Sequence, residues 1–241
     1  MRALQRIDFG AYLRAFGLYA RNPWLALAPL LMGLAGAIIL MVAPPTPGTI
    51  GALSGGLAQL LVMLLDSFGL GVSLIIADGA WRRGRAPFDD AWDEARRKAG
   101  DILMAALGLN LVVWVAGIVG GFLTPIGAIV LTAVAAFFLI YTLPAAAIGG
   151  IPGAAALQVS VERVQRNYAS TIVLALVFLL LMVLFPWVSN YIVLGLSSLS
   201  GIFATNAAIE IAEACLKAIG MGYLALVLAK TYADVSFGRR Y

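Results

Sequence analysis

Residues 87–103, PFDDAWDEARRKAGDIL, decide how the rest of the chain divides. Phe88, Ala91, Trp92 and Ala95 recur at i, i+3, i+4 and i+7 and share one helical face, while Asp89, Asp90, Asp93, Glu94, Arg96, Arg97 and Lys98 cover the other. The spacing predicts a short amphipathic helix that runs straight into an apolar segment. The same pattern lies 76 positions earlier, as Tyr12, Ala15, Phe16 and Tyr19 followed by Arg21-Asn22, and 69 positions later, as Leu157, Ser160, Val161 and Val164 followed by Arg166-Asn167. Three occurrences of one device point to an internal repeat.

Composition sets the class. With 62% hydrophobic and 12% charged residues and a mean hydropathy of +0.98, a soluble domain would expose more apolar surface than water tolerates. The expectation is an all-α membrane protein. Its net charge of +4 does not argue for nucleic acid, because the basic residues sit in segments flanking apolar runs, where anionic headgroups are the nearer partner. One cysteine, Cys215, allows no internal disulfide, and the chain has no histidine, so zinc, redox and Ser-His chemistry are set aside. No metal site and no cofactor are expected.

Taken in order, an aromatic-faced helix over residues 8–20 carries Arg2, Arg6, Arg14 and Arg21 around it and is expected to lie in the membrane interface. Apolar runs follow at about 23–43 and 50–77, separated by a turn at Pro44-Pro45-Thr46-Pro47-Gly48; the second contains Asp66 and is closed by Asp78. The first run has about 21 residues, enough to cross about 30 Å of hydrocarbon. A loop at Trp81-Arg82-Arg83-Gly84-Arg85 leads into the opening helix. Third and fourth spans are expected at 102–119 and 126–147, with Gly120-Gly121 and Thr124-Pro125 marking the turn between them. A fifth runs over 170–185, stopped by Pro186, and an uncharged connection over 187–200 leads to a sixth at 203–229, which carries Glu210, Glu213 and Lys217. The expected architecture is six transmembrane helices, built as three repeats of cytoplasmic amphipathic helix plus transmembrane hairpin. It forms one membrane domain over 1–241, with repeats at 1–80, 81–150 and 151–241.

Fifteen of the sixteen basic residues fall on one side of this arrangement. The positive-inside rule then makes both termini and the three amphipathic helices cytoplasmic, in a cell inner membrane. Lys217, inside a span, is the exception. A charge there needs a partner or water. Glu213 and Lys217 are i, i+4 with Glu210 one turn before, and the repeat offsets carry Asp66 to Ile211, close to both. Asp66, Glu210, Glu213 and Lys217 are therefore a candidate buried polar cluster. The alternative leaves Lys217 in an outer-end ion pair and Asp66 beside Gln59 or Ser67. Arg21, Arg82, Arg83, Arg85, Arg96, Arg97, Lys98 and Arg166 are candidate contacts for anionic lipid headgroups or for a protein partner on the cytoplasmic side.

Other motifs carry less. Asp89-Asp90-Ala91-Trp92-Asp93 has the DDxxD spacing that can hold a magnesium-bound diphosphate, but acids at a helix N-terminus and bases at its C-terminus also fit the helix dipole. Asp78-Gly79 with Arg82-Arg83 begins like the CDP-alcohol phosphotransferase motif, without its later glycine and aspartates. The pairs Gly51/Gly55 and Gly117/Gly121 are small-xxx-small packing signals. Trp24, Trp81, Trp92 and Trp187 read as interfacial anchors, with Trp114 interior.

The repeated break, amphipathic helix and basic-Asn or basic-Lys pair before a span, as in Arg21-Asn22-Pro23-Trp24 and Arg166-Asn167-Tyr168, resembles a group of bacterial six-span proteins. That group includes the membrane domain found beside glycerophosphodiester phosphodiesterases and DUF4013-like proteins. The resemblance covers nearly the whole chain and implies the fold; it lends no catalytic residue. Three functions stay open: a transport or permeation component using the buried polar cluster, a non-catalytic scaffold or partner subunit acting through the cytoplasmic helices, and a lipid-modifying enzyme using the Asp-rich helix.

Overall fold

Away from water, a backbone can satisfy its own N–H and C=O groups only as a helix or a closed barrel, and the apolar runs here take the first route. The computed structural model describes residues 9–42, 49–199 and 206–237. Among them are ten α-helices, one 3-10 turn at Pro23–Ala26, and no strand. The helices are α1 (Phe9–Arg21), α2 (Leu27–Val42), α3 (Thr49–Arg83), α4 (Phe88–Arg97), α5 (Ala99–Leu123), α6 (Pro125–Phe138), α7 (Thr142–Ala147), α8 (Ala155–Arg166), α9 (Tyr168–Leu199) and α10 (Asn206–Phe237). Five segments, Pro23–Val42, Ser54–Arg83, Ala99–Leu123, Pro125–Ala147 and Ala214–Phe237, are long and apolar enough to cross a bilayer. A sixth is added if Ala155–Arg166 and Tyr168–Leu181, bent by 110°, count as one. The fold is all-α and compatible with a multi-pass membrane protein. The turn around Thr46, together with Arg2, Arg6, Arg239 and Arg240, lies outside the described residues.

Close approaches set the relative depth of the helices. A Cβ on Gly36 would meet Val62 at 3.1 Å, and one on Gly69 would meet Pro29 at 3.1 Å. Further along, Ser73 Oγ donates to the Leu25 carbonyl at 2.7 Å. So α2 runs antiparallel to α3, and its entry turn is level with Ser73. Ile102, at the head of α5, packs on Gly71, and Gly222 of α10 packs on Leu25. Past Ser73, α3 continues to Arg83, about 15 Å beyond the level at which its neighbours begin to span.

That extension is the spine of a packed layer shared by α1, α4, α7, α8 and the end of α10. Val72, Leu74, Ile76, Ala80, Ala95, Tyr141, Ala156, Val164 and Leu226 are fully buried in it. Beyond the layer the spans expose Leu111, Trp114, Phe122, Ile126, Ile129 and Leu180, as helices facing lipid would. Trp114 is 67% exposed, so the expected interior tryptophan faces outward; Trp81 and Trp92 pack against the core, and the Trp81 indole N–H donates to the Leu226 carbonyl at 2.9 Å.

Several expected boundaries move, each for a local reason. Asp78 does not close the second span: it pairs with Arg82 one turn on, at 2.5 Å, and Trp81–Arg83 form the last turn of α3, not a loop. The opening amphipathic helix ends at Arg97, with a break at Lys98 before α5. Gly120 and Gly121 are helical, and Thr124 alone joins α5 to α6, its hydroxyl capping Gly127 N at 2.8 Å. Pro186 does not stop α9, which continues to Leu199; away from water the chain has no better partner for its backbone than the helix itself.

The fourth span is broken between Phe138 and Thr142. Pro144 has no N–H to offer the Ile140 carbonyl, and its ring crowds that group. A single side chain from α8 repairs the gap: Ser160 Oγ accepts from Tyr141 N at 3.0 Å and donates to the Phe138 carbonyl at 2.8 Å.

Candidate functional site: a charge pair within the spans

Asp66 is an ionisable residue on an otherwise apolar stretch of α3, and Lys217 lies one turn after Glu213 on α10. The structure brings them together, with Lys217 Nζ donating to Asp66 Oδ2 across 151 positions of sequence. Small residues allow the approach: Ala214 packs 3.7 Å from a Cβ position on Gly33, and Ala218 is buried, so α10 closes on α2 and α3. Asp66 lies seven residues before Ser73 on α3, which places it about 10 Å into the span from the packed layer.

The pair is asymmetric. Asp66's side chain is 18% exposed and Lys217's is 52% exposed. Asp66 Oδ1 is buried and has no hydrogen-bond partner among the described residues. The carboxylate is thus held in the helix packing and only half satisfied, while the ammonium sits on a flexible stem at its edge. A lone charge at such a depth costs at least about 2.5–3.5 kcal/mol, and pairing removes most of the net charge. The side chains of Glu210 and Glu213 lie outside the described residues, so the four-residue cluster is seen as this pair alone.

The other candidate residues surround the packed layer. Arg21, Arg83, Arg85, Arg97 and Arg166 are exposed there, Arg82 pairs with Asp78, and Arg96 lies 4.0 Å from Asp93 with both side chains exposed. Lys98 turns inward, donating to Glu94 Oε1 at 2.6 Å and to the Ala147 carbonyl at 2.9 Å. Among the described residues, no group of three or more His, Cys, Asp or Glu side chains could hold a metal ion.

The packed layer also contains polar groups whose partners the sequence did not give. Asn22, 1% exposed, donates to the Leu18 and Gly84 carbonyls at 2.9 and 3.1 Å and accepts from Ala86 N at 3.1 Å, joining the entry of the first span to the exit of the second. Tyr141 shares a hydrogen bond with Thr171 at 3.1 Å, and Lys230, 5% exposed, grips both oxygens of Asp234 at 2.5 and 2.6 Å. Burial pushes the Tyr12 and Tyr19 hydroxyls above the ordinary tyrosine range. One signal was available in the sequence: Ser160 is a polar residue on the face of α8 otherwise made of Leu157, Val161 and Val164. Elsewhere, an open groove on α6 is lined by Ala128, Ile129, Thr132, Ala133 and Ala136, too apolar a set to fix a polar ligand. Compared with known proteins, the chain matches no family model, no curated protein and no solved structure, so the chemistry of this site rests on its own geometry.

Proposed function

We propose that the protein is a transport or permeation component of the cell inner membrane, with six spans, both termini cytoplasmic, and the Asp66–Lys217 pair on its working path. The observation that carries this is the pair itself. A membrane protein that only needed α3 and α10 to adhere would lose nothing by apolar residues at these positions, since a buried ion pair contributes little net stability over well-packed hydrophobic groups. Charges kept inside spans serve pathways and relays far more often than packing.

The three-repeat organisation belongs to the same proposal. Asn22 and Asn167 stand at matching places in the first and third repeats. Their backbones are alike, φ −131° and ψ 63° against φ −141° and ψ 48°. Each side chain donates to the carbonyl four residues back, Leu18 and Arg163. Lys98, the matching position of the second repeat, ties the same joint to the Ala147 carbonyl, as Asn22 ties its own to that of Gly84.

Flux across reconstituted vesicles tests the transport reading. Protein-loaded vesicles should pass a small ion or amine faster than empty ones, and Asp66→Asn should remove the difference. Flux equal to that of empty vesicles across a panel of small cations, anions and amines would overturn it. A second reading, a scaffold for a protein partner, is favoured by the exposed face of α4, where Asp89, Asp90, Asp93, Arg96 and Arg97 all face outward. A soluble protein that co-purifies with the native chain and is lost on charge reversal at Asp89 and Asp90 would support it. Loss of anionic lipid on changing Arg96 and Arg97 to Gln would identify those two as headgroup contacts.

A further inference from the structure

The asymmetry of the pair selects a ligand. Its less exposed member is the carboxylate, at 18%, and its half-exposed member is the ammonium, at 52%, carried on a flexible four-carbon stem. Whatever exchanges at this place therefore exchanges with Lys217 and carries its sign. The two remaining features narrow the class. An ionised carboxylate has about four acceptor positions, and among the described residues Oδ2 accepts only from Lys217 while buried Oδ1 accepts from nothing, so a donor is wanted beside the one already present. A divalent metal would look for about six oxygen ligands, and the described residues offer no carboxylate cluster. A group with several N–H donors and a single positive charge fits what the Asp66 carboxylate can hold.

We infer that Asp66 is a binding site for primary ammonium groups within the spans, and that Lys217 is its tethered occupant, displaced when an amine enters. The inference rests on the transport reading and deepens it by naming the permeant class. In this scheme Lys217 keeps the carboxylate neutralised between turnovers. Because it is tethered at high effective concentration, it also weakens every competing amine by a constant factor. No bond is made or broken; one ammonium replaces another at the same oxygen atoms.

Titration of the full-length protein in detergent with ethylammonium chloride, by calorimetry at constant ionic strength maintained with sodium chloride, tests it. The wild type should show weak saturable binding. Lys217→Ala, freed of the tethered competitor, should bind about tenfold tighter or more. Lys217→Arg, which grips a carboxylate through two parallel bonds, should bind more weakly than the wild type, and Asp66→Asn should not bind at all. The order of Lys217→Arg and wild type carries the test if Lys217→Ala does not fold. Absence of saturable binding to the wild type would show that the pair is only structural, and binding retained by Asp66→Asn would place the site elsewhere; either result overturns the inference. Binding without flux would leave the ammonium site standing and remove transport, whereas flux through the wild type that Asp66→Asn abolishes, with no saturable ammonium binding to the wild type, would do the reverse.

Discussion

Ser160 and Thr142 are both buried hydroxyl residues at the broken fourth span, and they should respond oppositely to loss of the hydroxyl. Ser160→Ala removes one oxygen that serves two backbone groups, the Tyr141 N–H and the Phe138 carbonyl, at 3.0 and 2.8 Å. Tyr141 and Ser160 are fully buried, so no water replaces the lost partner. An orphaned buried group costs about 1–3 kcal/mol. With two groups orphaned, and the carbonyl the more tolerant of them, the expected loss is about 2–4 kcal/mol. Thr142 Oγ1 is equally buried but has no partner among the described residues, so Thr142→Val deletes an unsatisfied group and keeps the shape. It should be neutral or stabilise by up to about 1 kcal/mol. For a chain of this size 1 kcal/mol moves the unfolding midpoint by about 2–4 °C, so the two variants should melt at least about 4 °C apart in one detergent at one scan rate. Ser160→Ala melting with the wild type, or Thr142→Val proving the more damaging, would refute the assignment of Ser160 as the side chain that repairs the break.

Three further outcomes are expected. Gly120→Ala would place a Cβ 2.3 Å from the Gly127 carbonyl oxygen, backbone that cannot move aside, so the α5–α6 hairpin should open at an overpacking cost of about 1–3 kcal/mol or more; crosslinking between cysteines at Gly117 and Thr132 should fall in the variant, and unchanged yield would count against that contact. Breaking the ion pair by Lys217→Ala should destabilise by about 1–3 kcal/mol, less than for a fully buried pair because Lys217 is half exposed, and Asp66→Asn should recover part of the loss; simple additivity in the double variant would mean the two residues do not couple. Tyr12 and Tyr19 have hydroxyls whose ionisation is raised by burial in the folded state, so the fold binds their protons more tightly than the unfolded chain does. Their contribution is intact below about pH 10 and is lost as pH rises through the folded value. Tyr12→Phe with Tyr19→Phe should flatten that alkaline decline, and an unchanged pH profile would exclude these two as its source.

The sequence carried the helices well because hydrophobic length is a one-dimensional signal. The runs at 23–43, 102–119 and 126–147 each correspond to a segment able to span. It carried the ion pair in part: the repeat offsets placed Asp66 level with Ile211, and its partner, Lys217, lies six residues further on. What it hid depends on neighbours. Asp78 ends an apolar run, yet Arg82 neutralises it and the helix continues into a layer whose existence no hydropathy profile reports. The break at residues 139–141 could have been read from Pro144, four residues after the carbonyl it abandons. Its repair by a residue 19 positions past Tyr141 could not. Trp114 was expected inside because it lies mid-span, but depth along a helix says nothing about which face meets lipid.

The single-residue joint at Thr124 bears on how the protein is made. With Gly120 against Gly127 and Thr124 capping Gly127 N, α5 and α6 hold one another through contacts no more than a few turns apart in sequence. Everything that fixes this pair is already present once residue 138 has left the ribosome. The hairpin should therefore enter the membrane as a finished unit, while α3 waits for α10, some 150 residues later, to bring the lysine that neutralises Asp66. Until then Asp66 lacks the cation that pairs with it in the finished fold.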